Sequence, residues 1–269
     1  MASICNDDWA SLGVMSGHDR KTLRLSGLGE AVAHALAAQG VKVAVLDINE
    51  AGAQRVAADI GGLACRCDVT DSDSVSAALD AASAAHGVPR IVMNIAGIGS
   101  AKRIVGKDGQ PAPLADFECV VRVNLIGSYN VARLAAARIV ALDPLADALN
   151  SGERGVMVNT ASVAAFDGQV GQEAYSASKG GIVGMTLPLA RDLAQWGVRV
   201  CTIAPGLFAT PLMQQLPDAV QQSLAASIPF PKRLGQPEEF ASLALEIVRN
   251  VHLNGEVIRL DGALRMAPR

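Results

Sequence analysis

Hydrophobic residues follow two different periods along the chain. Short continuous apolar runs that end in a polar residue predict strands covered on both faces. Such runs occupy residues 41–46, 63–67, 90–94, 155–159, 198–203 and 256–260. Apolar residues at every third or fourth position between these runs predict helices. The predicted helices cover residues 28–39, 50–60, 72–86, 114–142, 174–196 and 237–250. Because strands and helices alternate, we predict an α/β fold, a single domain with a doubly wound parallel sheet and right-handed crossovers.

Other stretches depart from this alternation. Residues 100–113 carry charges, glycine and proline, which predicts a surface excursion. Residues 207–235 are interrupted by prolines. Loops of this length are uncommon unless they are functional, so we expect a substrate loop there. Residues 1–21 show no clear period, and the polar run Ser16–Lys21 is unsuited to a buried central strand.

Composition excludes several classes of function. The chain has 269 residues, half of them hydrophobic, with a net charge of −3 and only 3% aromatic residues. Without a basic cluster or a base-stacking platform, nucleic acid is not an expected partner. The five cysteines are scattered and form no CxxC pair, so we predict no metal site and a reducing compartment. No apolar run reaches the ~18 residues of a membrane span. The N-terminus lacks secretory and transit patterns, so we expect a cytoplasmic protein without a membrane partner.

Tyr175 and Lys179 are the first candidates for chemistry. They are four residues apart in a predicted helix, so they lie on one face. A lysine ammonium favours the phenolate, and together with a bound cofactor it would lower the tyrosine pKa from about 10. Tyr175 would then accept protons near neutral pH. Ser162 follows a predicted strand, at the edge where open parallel sheets bind ligands. Taken alone, such a pair is usually an exposed helix face, and such a serine is usually a helix cap.

A nucleotide site is indicated near the first predicted helix. Ser26-Gly27-Leu28-Gly29 opens that helix. Glycines let the backbone approach a pyrophosphate, and a helix N-terminus favours an anion. Asp47 follows about 20 residues after the glycines, where a carboxylate accepts both ribose hydroxyls and repels a 2′-phosphate. This predicts NAD as the cofactor, although Asp47 by itself is equally a turn residue at a strand end.

These residues and several short motifs together resemble the short-chain dehydrogenase/reductase family. The motifs stand in the family's order, namely Gly27-Leu28-Gly29, Asp68-Val69, Asn94-Ile95-Ala96-Gly97, Asn124, Ser162, Tyr175-x-x-x-Lys179 and Pro205-Gly206. The resemblance covers about residues 26 to 268 and is strongest to members that act on 3-hydroxyacyl-CoA. It implies a Rossmann-like fold and NAD-dependent oxidation of 3-hydroxyacyl-CoA to 3-oxoacyl-CoA. A hydroxysteroid or another secondary alcohol is the alternative substrate.

The resemblance also implies roles for individual residues. Tyr175 exchanges the proton of the substrate hydroxyl, and Lys179 lowers its pKa and holds the nicotinamide ribose. Ser162 hydrogen-bonds the developing carbonyl oxygen, and Asn124 holds a relay water near the lysine. Gln172 faces the substrate together with Ser162 and Tyr175, unless it is an exposed turn side chain. The cofactor-binding residues implied are Ser26, Gly27, Leu28, Asp47, Asp68, Val69, Asn94, Ala96, Gly97, Tyr175, Lys179, Pro205, Gly206, Phe208 and Thr210. A homotetramer assembled through helices 114–142 and 174–196 is also implied.

The N-terminus departs from the family pattern. The family opens with an apolar strand and Thr-Gly-x-x-x-Gly-x-Gly; Thr22 suits the first place, but Leu23 stands where the first glycine belongs. We therefore separate an atypical segment, residues 1–25, from the dinucleotide-binding catalytic domain, residues 26–269. A wrong reading frame or start site and real divergence both explain the segment. We expect it to fail as a central strand and to weaken NAD binding, unless another segment such as Ser11–Met15 takes the strand position. A non-catalytic oligomer partner with an impaired cofactor site therefore remains a further hypothesis.

Overall fold

A computed structural model describes residues 10–14, 27–99, 101–146, 151–210, 213 and 216–268. Within these residues, seven strands form one parallel sheet in the order β3-β2-β1-β4-β5-β6-β7. The strands are β1 Ala10–Val14, β2 Lys42–Asp47, β3 Leu63–Arg66, β4 Ile91–Asn94, β5 Gly155–Thr160, β6 Val198–Pro205 and β7 Val257–Leu260. The order reverses between β1 and β4, as in a doubly wound sheet.

Helices cover both faces of the sheet. They are α1 Leu28–Ala37, α2 Glu50–Ile60, α3 Ser72–His86, α4 Leu114–Val121, α5 Gly127–Ile139, α6 Glu173–Ala194, α7 Asp218–Ala226 and α8 Pro237–Arg249. One buried cluster joins α1, α2 and α8 to the sheet, and another joins α3, α5 and α6 to the opposite face. The predicted α/β fold is confirmed. In the part of the chain described here, no helix is long and apolar enough to cross a membrane.

Local capping explains why two helices begin where the sequence predicts. Asn49 caps α2, and its side chain accepts a hydrogen bond from the Gly52 N–H at 3.2 Å. Asp71 caps α3 through the N–H groups of Asp73 and Ser74. These side chains satisfy donors that the first helical turn leaves without partners. The predicted cap at Asp71 is confirmed.

The N-terminal segment supplies the central strand, so our expectation that it would fail to do so is wrong. Strand β1, Ala10–Val14, pairs in parallel with β2 on one side and with β4 on the other. Its sequence, Ala-Ser-Leu-Gly-Val, is small and mostly apolar, as a central strand requires. The expectation placed the strand at residues 16–21, directly before the glycines. Those residues, with Thr22 and Leu23, lie outside the described part of the chain.

The predicted helix 114–142 is interrupted. Between α4 and α5, residues Arg122–Ile126 form a π-helical turn. A π turn inserts one extra residue into a helix and often marks a functional site. Asn124 lies on this turn and is completely buried. The apolar period did not reveal the interruption, because the residues at both ends of the π turn keep right-handed helical dihedral angles.

The region predicted as a substrate loop contains a helix of its own. Helix α7 lies within residues 207–235, and none of its residues is buried. After α7, Ile228 and Leu234 pack with Leu264 in a small separate cluster. Leu224 and Ala225, in the last turn of α7, pack partly buried against the same cluster, so the C-terminal part of the segment is held to the domain.

Candidate active site

Helix α6 and strand β5 bring the first candidate residues together. Tyr175 and Lys179 lie in the first two turns of α6. The Lys179 ammonium donates a hydrogen bond of 2.7 Å to the Thr160 carbonyl at the end of β5. Its nitrogen lies 5.8 Å from the centre of the Tyr175 ring. Lys179 is only 3% exposed, so it is a buried cation beside the tyrosine and not part of a solvated helix face.

Ser162 connects the end of β5 to the same tyrosine. Its hydroxyl oxygen accepts a hydrogen bond of 3.1 Å from the Ala164 N–H, in a short 3₁₀ turn at Val163–Ala165. Ser162 also acts on Tyr175, because as a hydrogen-bonding partner it lowers the pKa of the tyrosine. Ser162 is thus a cap, as the simpler interpretation proposed, and also a partner of Tyr175. The cap fixes the serine backbone, and this directs its oxygen towards the tyrosine.

Burial controls the ionisation of both groups in the protein by itself. Burial raises the pKa of Tyr175, and the hydrogen bond from Ser162 partly opposes this. Burial also lowers the pKa of Lys179 to about 8. In the protein alone the pKa of Tyr175 is therefore raised, and the decrease expected from Lys179 together with a bound cofactor stays a prediction. A site with little water disfavours both charged forms. At neutral pH Lys179 remains mainly protonated.

Asn124 ties three parts of the site together. Its side-chain oxygen accepts a hydrogen bond from the Ile98 N–H at 2.7 Å, and its amide donates to the Ile98 carbonyl at 3.0 Å. The same amide donates to the Ser178 hydroxyl at 3.0 Å. Asn124 therefore holds the loop after β4 against the helix that carries Tyr175. The relay water implied for this residue stays a prediction.

Gly97 leaves space at the centre of this arrangement. A Cβ at this position would lie 3.2 Å from the Asn124 side-chain oxygen and 3.3 Å from the Lys179 nitrogen. Both neighbours are buried and hydrogen-bonded, so neither can move away without losing a contact. Ala96, one residue earlier, is also buried. Glycine is therefore required here by the close approach of the backbone to polar side chains.

The nucleotide end of the site lies at α1 and β2. Gly27 precedes the first residue of α1, with φ at 84° and ψ at −131°, a conformation that favours glycine. Leu28 follows as the first helical residue, whereas Ser26 lies outside the described residues. Asp47 ends β2, is 1% exposed, and accepts a hydrogen bond of 2.8 Å from the Asn49 N–H. This bond orients the carboxylate at the carboxyl edge of the sheet.

Asp68 and Val69 shape the next part of the same edge. One Asp68 oxygen accepts hydrogen bonds from the Thr70 N–H and hydroxyl, at 2.9 and 2.8 Å. Val69 is buried, and its carbonyl accepts a 2.9 Å hydrogen bond from Asn130. A Cβ at Gly127 would lie 2.6 Å from the Val69 side chain. This motif is therefore fixed by its own turn and by close packing against α5.

Some predicted cofactor residues have their side chains in the core. The Asn94 amide donates to Asn159 across β4 and β5 at 2.9 Å. The Phe208 ring meets Phe240 edge-on, with 6.4 Å between ring centres. The Asn94 side-chain oxygen has no hydrogen-bond partner among the described residues. The cofactor roles of Asn94 and Phe208 stay predictions.

The end of β6 is shaped by packing against β7. A Cβ at Gly206 would lie 2.8 Å from the Asp261 Cβ, so a side chain there would displace the segment after Pro205. The Thr210 N–H bonds the Phe208 carbonyl at 2.8 Å in the turn that follows. These contacts set the path of the chain into residues 207–235.

Gln172 takes part in a turn. Its side-chain oxygen accepts a hydrogen bond of 3.0 Å from the Gln169 N–H. The turn immediately precedes α6 and is partly buried. This geometry agrees with the alternative interpretation of Gln172 as a turn side chain. A contact between its amide nitrogen and a substrate stays a prediction.

Sequence analysis missed several groups that hold the site. They include the Thr160 carbonyl, both backbone groups of Ile98, Ser178 and Asn159. Backbone groups have no sequence signal, because every residue carries them. Ser178 did have a signal, since it stands three residues after Tyr175 and donates to the tyrosine carbonyl at 2.8 Å. Asn159 was visible as a polar residue at the end of an apolar run.

The chain is similar to known proteins over nearly its whole length. The family model described as "Enoyl-(Acyl carrier protein) reductase" matches residues 23–264. The 3-hydroxyacyl-CoA dehydrogenase type-2 of Homo sapiens is 48% identical, over 100% of both chains. A crystal structure of 3-hydroxyacyl-CoA dehydrogenase type-2 from Mycobacterium avium has a TM-score of 0.90 and 42% identity, covering 99% of this chain and 100% of that one. A 3-ketoacyl-(acyl-carrier-protein) reductase from Brucella melitensis, complexed with NADH, has a TM-score of 0.80 and 28% identity, covering 96% and 99%.

Proposed function

The chain belongs to the short-chain dehydrogenase/reductase family, and from this premise we propose that it is an NAD-dependent dehydrogenase that interconverts 3-hydroxyacyl-CoA and 3-oxoacyl-CoA. The observation that carries the proposal is the Tyr175 ring, 5.8 Å from the buried Lys179 cation, with Ser162 as a hydrogen-bonding partner that lowers the tyrosine pKa. The substrate class is supported by the names of the relatives that are about half identical over the full chain.

The residues present fit a nicotinamide dinucleotide. Gly97 leaves room beside Asn124 and Lys179 that a Cβ would fill. Gly27 brings backbone to the N-terminus of α1, which favours a pyrophosphate. When bound, the nicotinamide supplies the hydride acceptor for oxidation and the hydride donor for reduction. Tyr175 and Lys179 would hold its ribose, and Gly27 and Leu28 its pyrophosphate.

Asp47 supports NAD over NADP. Its carboxylate is buried at the end of β2, where the family's spacing places the adenosine ribose. A 2′-phosphate there would meet a negative charge in a site with little water. Residues 48–50, Ile-Asn-Glu, supply no arginine to compensate. The proposal is therefore a preference for the cofactor without the phosphate.

The side chains divide the chemistry among themselves. In the oxidation, Tyr175 takes the proton from the C3 hydroxyl oxygen as the hydride leaves C3, and the carbon–oxygen single bond becomes a carbonyl. Ser162 donates a hydrogen bond to that oxygen and keeps it within reach of the Tyr175 hydroxyl. The Lys179 cation stabilises the phenolate that must exist before the proton is taken. Because burial raises the pKa of Tyr175 in the protein alone, this cation has to offset the cost of forming the phenolate.

Exposed apolar side chains support the proposal of a homotetramer. Large hydrophobic residues are exposed on the helices implied as its interface, namely Leu114, Phe117, Ile126, Tyr129, Leu187 and Trp196. Where exposed apolar side chains adjoin one another, such a surface is typical of sites at which proteins associate. Sedimentation of the purified protein measures the assembly directly, and a monomer would contradict it.

Formation of NADH tests the proposed function. Purified protein is incubated with NAD and either a short-chain 3-hydroxyacyl-CoA or a steroid alcohol, and the initial rates are compared. We expect the acyl-CoA to give the higher kcat/KM. A higher kcat/KM for the steroid alcohol would contradict the proposed substrate class and favour a hydroxysteroid. Calorimetric titration with NAD decides the remaining hypothesis, because a non-catalytic partner would bind NAD weakly and turn over neither substrate.

A further inference from the structure

The segment that links Ser162 to Tyr175 is held by the far end of the chain. Arg259, on β7, pairs with Asp167, directly after the 3₁₀ turn. Its two terminal nitrogens lie 2.5 and 3.3 Å from the two Asp167 oxygens. Such a two-pronged arginine–carboxylate pair fixes orientation as well as distance. The two side chains are 20% and 18% exposed, so solvent screens them less than a surface pair.

Arg259 is itself fixed on its other sides. Its Nε lies 2.8 Å from an Asp261 carboxylate oxygen. A terminal nitrogen also donates to the Leu264 carbonyl at 3.0 Å. The centre of the guanidinium lies 5.1 Å from the Phe166 ring, a cation–π distance. The arginine therefore joins β7, the chain after β7 and the segment after Ser162, and its orientation has little freedom.

The C-terminal residues continue this contact along the backbone. The Val170 N–H donates to the Pro268 carbonyl at 3.1 Å. The Gln169 side-chain amide donates to the Ala267 carbonyl at 2.9 Å. Two successive residues of the linking segment are thus bonded to two successive residues of the tail. In the next turn the Gln169 N–H donates to the Gln172 side-chain oxygen, and this turn leads directly into α6.

We propose that Arg259, Asp261 and residues 264–268 form a C-terminal clamp that positions residues 166–172 as a wall of the substrate site. The substrate part of this inference rests on the proposed function. Arg259 and Asp167 are positioning residues, since they act through the linking segment and touch neither Tyr175 nor Lys179 in the described contacts. The clamp predicts that the chain beyond β7 contributes to binding of the acyl substrate and leaves the nucleotide end unchanged.

Asp167→Asn tests the clamp by steady-state kinetics. The change keeps the shape of the side chain but removes the charge that Arg259 pairs with. We expect the KM for a short-chain 3-hydroxyacyl-CoA to rise at least about tenfold while kcat falls less than about threefold. The Kd for NAD should stay within about twofold of the parent value, because no clamp residue lies at α1 or β2.

Two further variants separate positioning from general loss of structure. Asp80→Asn is the matched control, since Asp80 pairs with Arg138 between α3 and α5, helices that carry no predicted catalytic or cofactor residue. It should leave KM unchanged. Asp167→Glu keeps the carboxylate that Arg259 pairs with, so it should retain at least about half of the parent's kcat/KM.

Hydrogen exchange supplies a measurement that needs no activity. The Val170 amide should exchange at least about tenfold faster in Asp167→Asn than in the parent, since its bond to Pro268 opens more often. The clamp is overturned if the KM of Asp167→Asn stays within about twofold of the parent, or if Val170 exchange does not accelerate. If the parent turns over neither acyl-CoA nor steroid alcohol, the proposed function fails, and the exchange rate alone decides whether the clamp exists.

Discussion

At the catalytic end of the site, hydrogen bonds of side chains fix the geometry. At the nucleotide end, the geometry depends mainly on the conformation of the backbone. Lys179 is bonded to Thr160, and Asn124 makes hydrogen bonds to Ile98 and Ser178. At the other end, Gly27 contributes a conformation that other residues rarely adopt. The difference teaches that a substitution damages the first region by removing atoms and the second by adding them.

The largest effect is expected where a single atom is removed at the catalytic end. Tyr175→Phe keeps the ring but removes the hydroxyl that moves the proton. General acid–base catalysis of this kind contributes about 10²- to 10⁴-fold, so we expect kcat to fall by about that factor. NAD binding, measured by calorimetry, should persist.

Tyr129→Phe is the matched control, because it makes the same chemical change at the exposed tyrosine of α5. Its kcat should stay close to that of the parent. If Tyr175→Phe also kept its kcat within a few-fold, another group would have to carry the proton.

The next effect is expected where one carbon is added between the two regions. Gly97→Ala would place a Cβ 3.2 Å from the Asn124 oxygen and 3.3 Å from the Lys179 nitrogen. We expect a decrease of about tenfold in kcat/KM for NAD, since small misplacements of catalytic groups are costly.

Gly99→Ala is the corresponding control, since nothing lies within 4 Å of the added carbon. Both variants are assayed at saturating acyl-CoA, so that the change is assigned to the nucleotide. Equal kcat/KM for the two variants would contradict the close approach at Gly97.

An effect of about the same size concerns the choice of cofactor at the nucleotide end. Asp47→Asn removes the charge while keeping the group that faces the Asn49 N–H. We expect the ratio of kcat/KM for NAD to that for NADP to fall by about tenfold, the equivalent of about 1.4 kcal/mol.

Glu50→Gln removes a nearby exposed carboxylate from the start of α2 and should change the ratio much less. Were the two variants equal in their effect, the general negative charge of this region would explain the preference better than Asp47 does.

The smallest effect is on stability and follows from the buried cation. The pKa of Lys179 is lowered to about 8 in the folded protein from an ordinary value of 10.5. Between these values the unfolded chain binds more protons than the folded one, so this group makes folding more favourable as pH rises. Relative to Lys179→Met, the parent should gain at most about 1.4 kcal/mol of unfolding free energy per pH unit between pH 8 and 10.

Urea unfolding at pH 8, 9 and 10 measures this difference. Lys42→Met, at an exposed position of β2, controls for the loss of a lysine as such. A difference between parent and Lys179→Met that does not change with pH would show that burial does not lower the pKa of Lys179.

The sequence by itself determined the order of elements and the catalytic spacing. Alternating apolar runs and helical periods placed β2 to β7 within a few residues, because these signals depend only on neighbours along the chain. The cap at Asp71 and the four-residue spacing of Tyr175 and Lys179 are equally local. Such features follow from helix geometry alone, so they can be predicted without knowledge of the rest of the fold.

The tertiary structure decided what depends on distant contacts and on burial. It placed β1 at Ala10–Val14, because partners on both sides can recruit a short apolar strand well before the glycines. It turned Asn124 inwards on a π turn and joined Arg259 to Asp167, residues separated by 92 positions. It also determined that burial raises the pKa of Tyr175 in the protein alone, because desolvation depends on the atoms that surround a group and not on its neighbours in sequence.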